Sequence, residues 1–211
     1  MKRWGLTAIV GTLAGLLLLP AASSAAEVKG GLKAGLNVAF IHGSDVNHFP
    51  YLDMSWVLRF GYCLGGYITV DLSETAALQA EALVTTKGSK EVLIGWGEPV
   101  YECSLKTSYL EIPLLFKLMT RPSRRIRLFG LAGPALGIKL GGRLSLESEP
   151  LTSYGFRATD LGLVTGIGAI ANRGIMWELR WTWGLSKIIK APGTPPDVKN
   201  GVISFITGYQ F

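Results

Sequence analysis

GVISFITGYQF, residues 201–211, places Ile203, Phe205, Thr207, Tyr209 and Phe211 at every second position. Period-two alternation is the signature of a β-strand with one apolar face. The last residues of soluble domains are usually polar and frayed, whereas this stretch finishes on an aromatic. The same alternation, with heavier side chains, appears just upstream in Trp177, Leu179, Trp181, Trp183 and Leu185. Either these faces fill an interior or they meet something other than water.

Extending the alternation back along residues 27–211 gives eight strands, at about 31–41, 57–72, 76–87, 103–118, 126–140, 160–170, 175–187 and 202–211. Short connections (73–75, 119–125, 171–174) alternate with long ones (42–56, 88–102, 141–159, 188–201) rich in Gly, Pro, Ser and charge. Strict alternation of short and long connections is the layout of an outer-membrane barrel, with short periplasmic turns and long external loops.

Parity sorts the side chains. One face carries Leu32, Leu36, Phe60, Leu64, Ile68, Val84, Leu114, Phe116, Leu128, Ile138, Leu163, Ile167 and the two sets above. The other carries Lys33, Asn37, Arg59, Asp71, Gln79, Glu81, Lys87, Glu111, Lys117, Arg127, Lys139, Glu178 and Arg180. About 45 apolar positions, three Trp on one strand among them, exceed what an eight-stranded interior can hold. The apolar face therefore points outward into lipid, where a midplane Lys or Arg costs about 2–4 kcal/mol. The strand lengths suit a membrane crossing of about 9–11 tilted residues. Phe116, Trp177, Tyr209 and Phe211 fall near the periplasmic boundary and Phe40, Phe60, Tyr62 and Trp183 toward the external one, as interfacial girdles do.

The composition agrees. Hydrophobic residues make up 48% and charged residues 17%, against roughly a quarter charged in average proteins. The net charge of +6 comes from scattered Lys and Arg, with no basic run interleaved with aromatics, so nucleic acid is not an expected partner. Residues 1–26 begin with Lys2 and Arg3, continue apolar to Leu19, break at Pro20 and reach Ser24-Ala25-Ala26. That is the layout of a cleavable signal peptide, leaving 27–211 as one barrel domain.

Several stretches carry a family resemblance: Lys33-Ala-Gly-Leu-Asn37, Leu78-Gln-Ala-Glu81 followed by Lys87-Gly88, Gly130-Leu-Ala-Gly-Pro134, Asp160-Leu-Gly-Leu163 and above all Tyr109-Leu-Glu-Ile-Pro-Leu-Leu-Phe-Lys117. The chain resembles the PorT-like outer-membrane β-barrel family, most specifically at YLEIPLLFK. The resemblance implies an eight-stranded antiparallel up-and-down barrel in the outer membrane of a Gram-negative bacterium, and little about activity. The terminal strand, with Phe205, Tyr209 and Phe211, also resembles the signal read by the barrel-assembly machinery.

The candidate chemistry lies inside. Lys33, Arg59, Glu81, Lys87, Glu111, Lys117, Glu178 and Arg180 are expected to form a charge network filling the lumen, because buried charges persist only when paired. Cys63 and Cys103 share inward parity, and an oxidising periplasm allows a disulfide between them. Strand three separates them, so free thiols are the other reading. No spacing resembles a metal site, and no cofactor is expected. His42, Ser44, Asp45 and His48 in the first external loop contain the residue types of a lipid-modifying hydrolase, with no further motif behind them. The expected role is non-enzymatic, structural or interactive, with outer-membrane lipid around the wall and an envelope protein at the external loops as partners. A narrow channel for small or hydrophobic solutes and an accessory component of a secretion apparatus are the alternatives, with a lipid A-modifying enzyme behind them.

Overall fold

The computed structural model describes residues 27–44, 53–95, 98–121, 125–146, 149–150, 155–190 and 197–211. Residues 1–26, where a signal peptide is expected, and Asp45 and His48 of the first loop, lie outside these described residues.

Eight strands build the barrel: β1 (Val28–His42), β2 (Arg59–Asp71), β3 (Ala76–Gly95), β4 (Glu98–Met119), β5 (Ile126–Leu146), β6 (Thr159–Ala171), β7 (Ile175–Gly184) and β8 (Lys199–Gln210). Each pairs antiparallel with its neighbours, and β8 returns to β1 with Leu36 opposite Phe205 and Lys33 opposite Gly208. The sheet is therefore closed, which leaves no barrel strand with an open edge in lipid. No helix among the described residues is long and apolar enough to cross a membrane.

Register fixes the shape. The path Val38, Ile203, Trp181, Thr165, Ala132, Phe116, Leu78, Val70, Val28 crosses every strand once. It regains β1 ten residues from where it began. A stagger of ten residues over eight strands tilts them about 40° from the axis, given ~3.3 Å per residue and ~4.8 Å between strands.

The short turns are built by local chemistry. Between β2 and β3, the Leu72 and Ser73 amides donate to the Ala76 carbonyl at 2.9 and 3.0 Å, and the Ser73 hydroxyl accepts from the Ala76 amide at 3.0 Å. Between β6 and β7, Gly174 adopts φ of 81°. A side chain there would put Cβ 2.2 Å from the Gln210 carbonyl oxygen, so only glycine fits.

Two expected loops are partly strand. The stretch 88–102 continues the β3–β4 ladder, with Lys90 opposite Ser104 and Leu93 opposite Tyr101, and β5 runs on to Leu146. Glycine and charge suggest a loop there, yet backbone pairing alone carries a strand on, and clear of the bilayer an antiparallel ladder needs no apolar face. The short strand Asp53–Val57 adds to β3 at Lys90–Ile94. The other strand ends agree with the sequence reading to within a few residues.

The predicted orientation holds. Leu36 is 70% exposed, Phe60 81% and Ile167 65%, while Lys33, Glu178 and Lys117 are each 1% exposed. The greasy side chains stand outside, the ionic ones inside.

Candidate functional site: the charged lumen

The lumen is layered. An apolar cluster of Ala77, Leu115, Met119, Phe129, Leu131 and Met176 lines much of its periplasmic half. Glycines on the facing strands make room for its rings. A Cβ on Gly168 would lie 2.3 Å from the Phe129 ring, and one on Gly31 would lie 2.4 Å from the Tyr67 ring.

Among and above these side chains sits the first ionic cluster. β1 supplies Lys33, β3 supplies Gln79 and Glu81, β4 supplies Lys117, and β7 supplies Glu178 and Arg180. The i, i+2 spacing in β3 and β7 puts both members of each pair on the inner face. Lys33 Nζ donates to Glu81 Oε1 at 2.8 Å and to Glu178 Oε1 at 2.7 Å. Arg180 grips Glu81 with both Nη atoms at 2.6 Å and approaches Glu178 Oε2 at 2.5 Å. Gln79 donates to Glu81 Oε1 at 2.5 Å and accepts from Lys117 Nζ at 3.3 Å and from the Thr69 hydroxyl at 3.1 Å. Lys117 also stands over the Phe129 ring, 3.9 Å from its centroid, a favourable place for a cation. The side chains of Lys33, Glu81 and Glu178 have 0% exposure. Two carboxylates are shared by Lys33 and Arg180, Lys117 is linked to Glu81 through Gln79, and the bidentate Arg–carboxylate fork is the strongest link.

A neutral belt follows, in which Asn37 donates to Thr85 Oγ1 at 2.8 Å and accepts from the Ser204 hydroxyl at 2.8 Å. Toward the external mouth lies a second ionic cluster. Lys87 Nζ donates to Glu111 Oε1 at 2.8 Å, sits 3.5 Å from Asp160 Oδ2, and faces the Tyr109 ring at 5.4 Å. Asp160 accepts from the Ser186 hydroxyl and from Asn200 Nδ2, each at 2.9 Å.

Seven of the eight predicted lumen charges thus fall into two clusters. Arg59 does not join them as a fully buried charge: it is half-exposed at the external end of β2, opposite Ala39, because the strand rises there toward the rim. The sequence reading missed Asp160 as a lumen carboxylate, although its place at the start of a strand with inward parity was readable. It placed Asn37 and Gln79 on the inner face without reading them as polar relays, and it did not name Asn200, since neutral side chains carry no charge signal.

The disulfide expectation is corrected. Cys63 is buried and carries a free thiol. Its register partner is Thr85, which pairs with Tyr109, and Cys103 lies six residues further along β4. At ~3.3 Å per residue that is about 20 Å, far beyond the reach of an S–S bond.

On the outer face, His42 gives its ring N–H (Nε2) to the Asn200 carbonyl at 3.2 Å. Its ring lies 5.1 Å from Trp183, which stacks on Trp181 at 5.4 Å, and Phe40 meets Trp181 edge-on at 6.4 Å. This is an aromatic girdle at the external interface. Ser44 is held at the rim, its hydroxyl 3.4 Å from Asp197 Oδ2, while Lys199 holds that carboxyl below its usual range through a hydrogen bond. Phe205 and Tyr209 are exposed on the outer face of β8, and Phe211 caps it, its amide bonded to the Gly30 carbonyl at 2.9 Å and its ring covering Gly30.

A closed barrel with a charged interior and an apolar, girdled lipid-facing band matches what a family comparison finds: residues 21–190 fit the outer membrane protein beta-barrel domain. The chain belongs to that family. As a member of the outer membrane protein beta-barrel domain family it resides in the outer membrane, and the wall described above is its lipid-facing surface. Among solved structures it is similar to Neisserial surface protein A (12% identity, TM-score 0.49, 88% of this chain and 99% of that chain). It is also similar to OprG from Pseudomonas aeruginosa (12% identity, TM-score 0.46, 87% and 94%). Ail of Yersinia pestis is a further similar structure (16% identity, TM-score 0.43, 88% and 99%). Comparison with the curated proteins finds no match.

Proposed function

We propose that this barrel is a non-conducting, non-catalytic scaffold of the outer membrane that presents its raised β3–β4 hairpin and external loops to an envelope partner. The supporting observation is the ion-paired lumen. A path for solute would have to pass Lys33, Glu81, Glu178 and Arg180, which fill the section between them with contacts of 2.5–2.8 Å. Separating those charges without water to replace the contacts costs several kcal/mol per ion. Eight strands also leave space for side chains rather than for an aqueous channel. Outer-membrane lipid is the solvent of the wall, and the Phe205, Tyr209 and Phe211 pattern is the address for the barrel-assembly machinery. Within the family we read the chain as PorT-like, on Tyr109–Lys117, the stretch that places Glu111 and Lys117 in the lumen.

Planar-bilayer recording tests the reading. The purified barrel is expected to give no unitary conductance at neutral pH, and co-purification from envelopes is expected to lose its partner when the 88–102 hairpin is shortened. Steady ion-selective channels in the wild-type protein would replace the scaffold by the narrow-channel alternative.

A further inference from the structure

The periplasmic rim is electrically two-sided. The β4–β5 and β6–β7 turns sit side by side, tied by the Asn172 amide, which donates to the Arg125 carbonyl at 3.2 Å. They and the strand end beside them carry Arg121, Arg125, Arg127 and Arg173, and neither MTRPSRR (119–125) nor ANRG (171–174) contains a carboxylate. The opposite half of the rim holds Glu27, Asp71 and Glu74. Lys29 stands among them and pairs with Glu27 at 2.8 Å and with Asp71 at 2.6 Å.

One of the four arginines is committed to the fold. Arg127 donates from Nη2 to the Glu74 carbonyl at 2.5 Å and from Nε to the Thr120 carbonyl at 3.3 Å, bracing the two short turns on either side of it. Arg121, Arg125 and Arg173 are exposed, and among the described residues no ion pair or hydrogen bond engages their guanidinium groups. Each offers a planar fork of donors that matches two oxygens of a phosphate.

Depth identifies what lies against them. Arg125 adjoins Ile126, Arg173 comes two residues before Ile175, and Arg121 three residues after Leu118. Those apolar side chains are 40–57% exposed on the outer wall, so they mark the lower limit of the hydrocarbon. At ~3.3 Å per residue the arginines stand about 3–10 Å beyond it along the strands. The headgroup layer on each side of the hydrocarbon is roughly 5–8 Å thick. The three arginines therefore lie at the level of the phosphates of the periplasmic leaflet, with lipid beside them.

We infer that the β4–β7 side of the periplasmic rim binds an anionic phospholipid of the periplasmic leaflet, its phosphodiester held by Arg121, Arg125 and Arg173. A glycerol headgroup leaves the phosphate charge to the arginines, whereas a choline headgroup brings its own cation to compete for it. Each basic residue close to anionic lipid favours association by about fivefold. The carboxylates across the rim repel the same headgroup, which turns the lipid toward this side. The site is separate from the lumen and from the external hairpin, so it does not depend on the role of either.

Native mass spectrometry tests it, on the purified barrel in detergent micelles doped with equal amounts of phosphatidylglycerol and phosphatidylcholine. The first lipid retained is expected to be phosphatidylglycerol by about tenfold or more. The triple variant Arg121→Gln, Arg125→Gln, Arg173→Gln is expected to bring that ratio below about twofold, with the heat-modifiable gel shift of the folded barrel unchanged. Lys106→Gln, which removes an exposed cation from the external part of β4, is expected to leave the ratio as it is. No preference in the wild type, a preference that survives the triple variant, or an equal loss in Lys106→Gln overturns the inference. Binding to isolated peptidoglycan that the triple variant loses, with no lipid preference in the wild type, assigns the arginines to the wall polymer instead.

Discussion

Replacing Glu81 by Gln keeps the shape of the side chain and removes its charge. Glu81 is the most heavily shared group in the lumen, taking Lys33, both arms of Arg180 and Gln79. Without it, Lys33, Arg180 and Lys117 face the single carboxylate of Glu178, at 0–3% side-chain exposure for all but Lys117, which is 1% exposed as a residue. Breaking a buried pair from one side leaves an uncompensated charge and costs about 3–5 kcal/mol. The loss should be nearly independent of salt, since ions do not reach the cluster. Urea unfolding in lipid vesicles, followed by Trp fluorescence and by migration of unboiled protein, measures it. The double variant Glu81→Met with Lys33→Met removes one charge of each sign, and it should recover more than half of the loss. A Glu81→Gln barrel within about 0.5 kcal/mol of wild type, the ordinary range of surface substitutions, would refute the account of the lumen as an interlocked ionic core.

Three further outcomes follow from the same description. Leu179→Arg on the lipid face should destabilise the barrel by about 2–4 kcal/mol in vesicle unfolding, whereas Lys29→Met, which breaks a partly exposed pair with Asp71, should cost about 1 kcal/mol or less. Gly168→Ala should cost about 1–3 kcal/mol through overpacking against the Phe129 ring, partly restored by Phe129→Leu. Thiol labelling of the denatured protein without reductant should count two free cysteines, and labelling of the folded protein should leave Cys63 unmodified.

Most of the barrel was legible because lipid enforces alternation so strictly. Wherever a strand crosses the apolar band, a charge on the outer face would be costly, and so the parity of Lys33, Glu81, Glu178 and Arg180 reads directly as inward. Above the band that constraint lapses, and the extension of β3 to Gly95 and of β5 to Leu146 went unread. Pairing inside the lumen was only partly legible. Parity names which residues face the axis, but the partner of each depends on stagger. The ten-residue shear brings Lys33 and Glu81 together across β2 and sets Cys103 beyond reach of Cys63. The contact of β7 with β1 across β8, which unites Arg180 and Glu178 with Lys33, arises only on closure, and no local pattern announces it.

That closure also governs biogenesis. The first strand is completed by the last, so every shorter nascent chain presents raw, hydrogen-bond-hungry borders and a half-built ionic centre. No set of strands short of all eight closes the sheet. Protection from proteolysis is therefore expected to appear in a single late step, when β1 and β8 zip together.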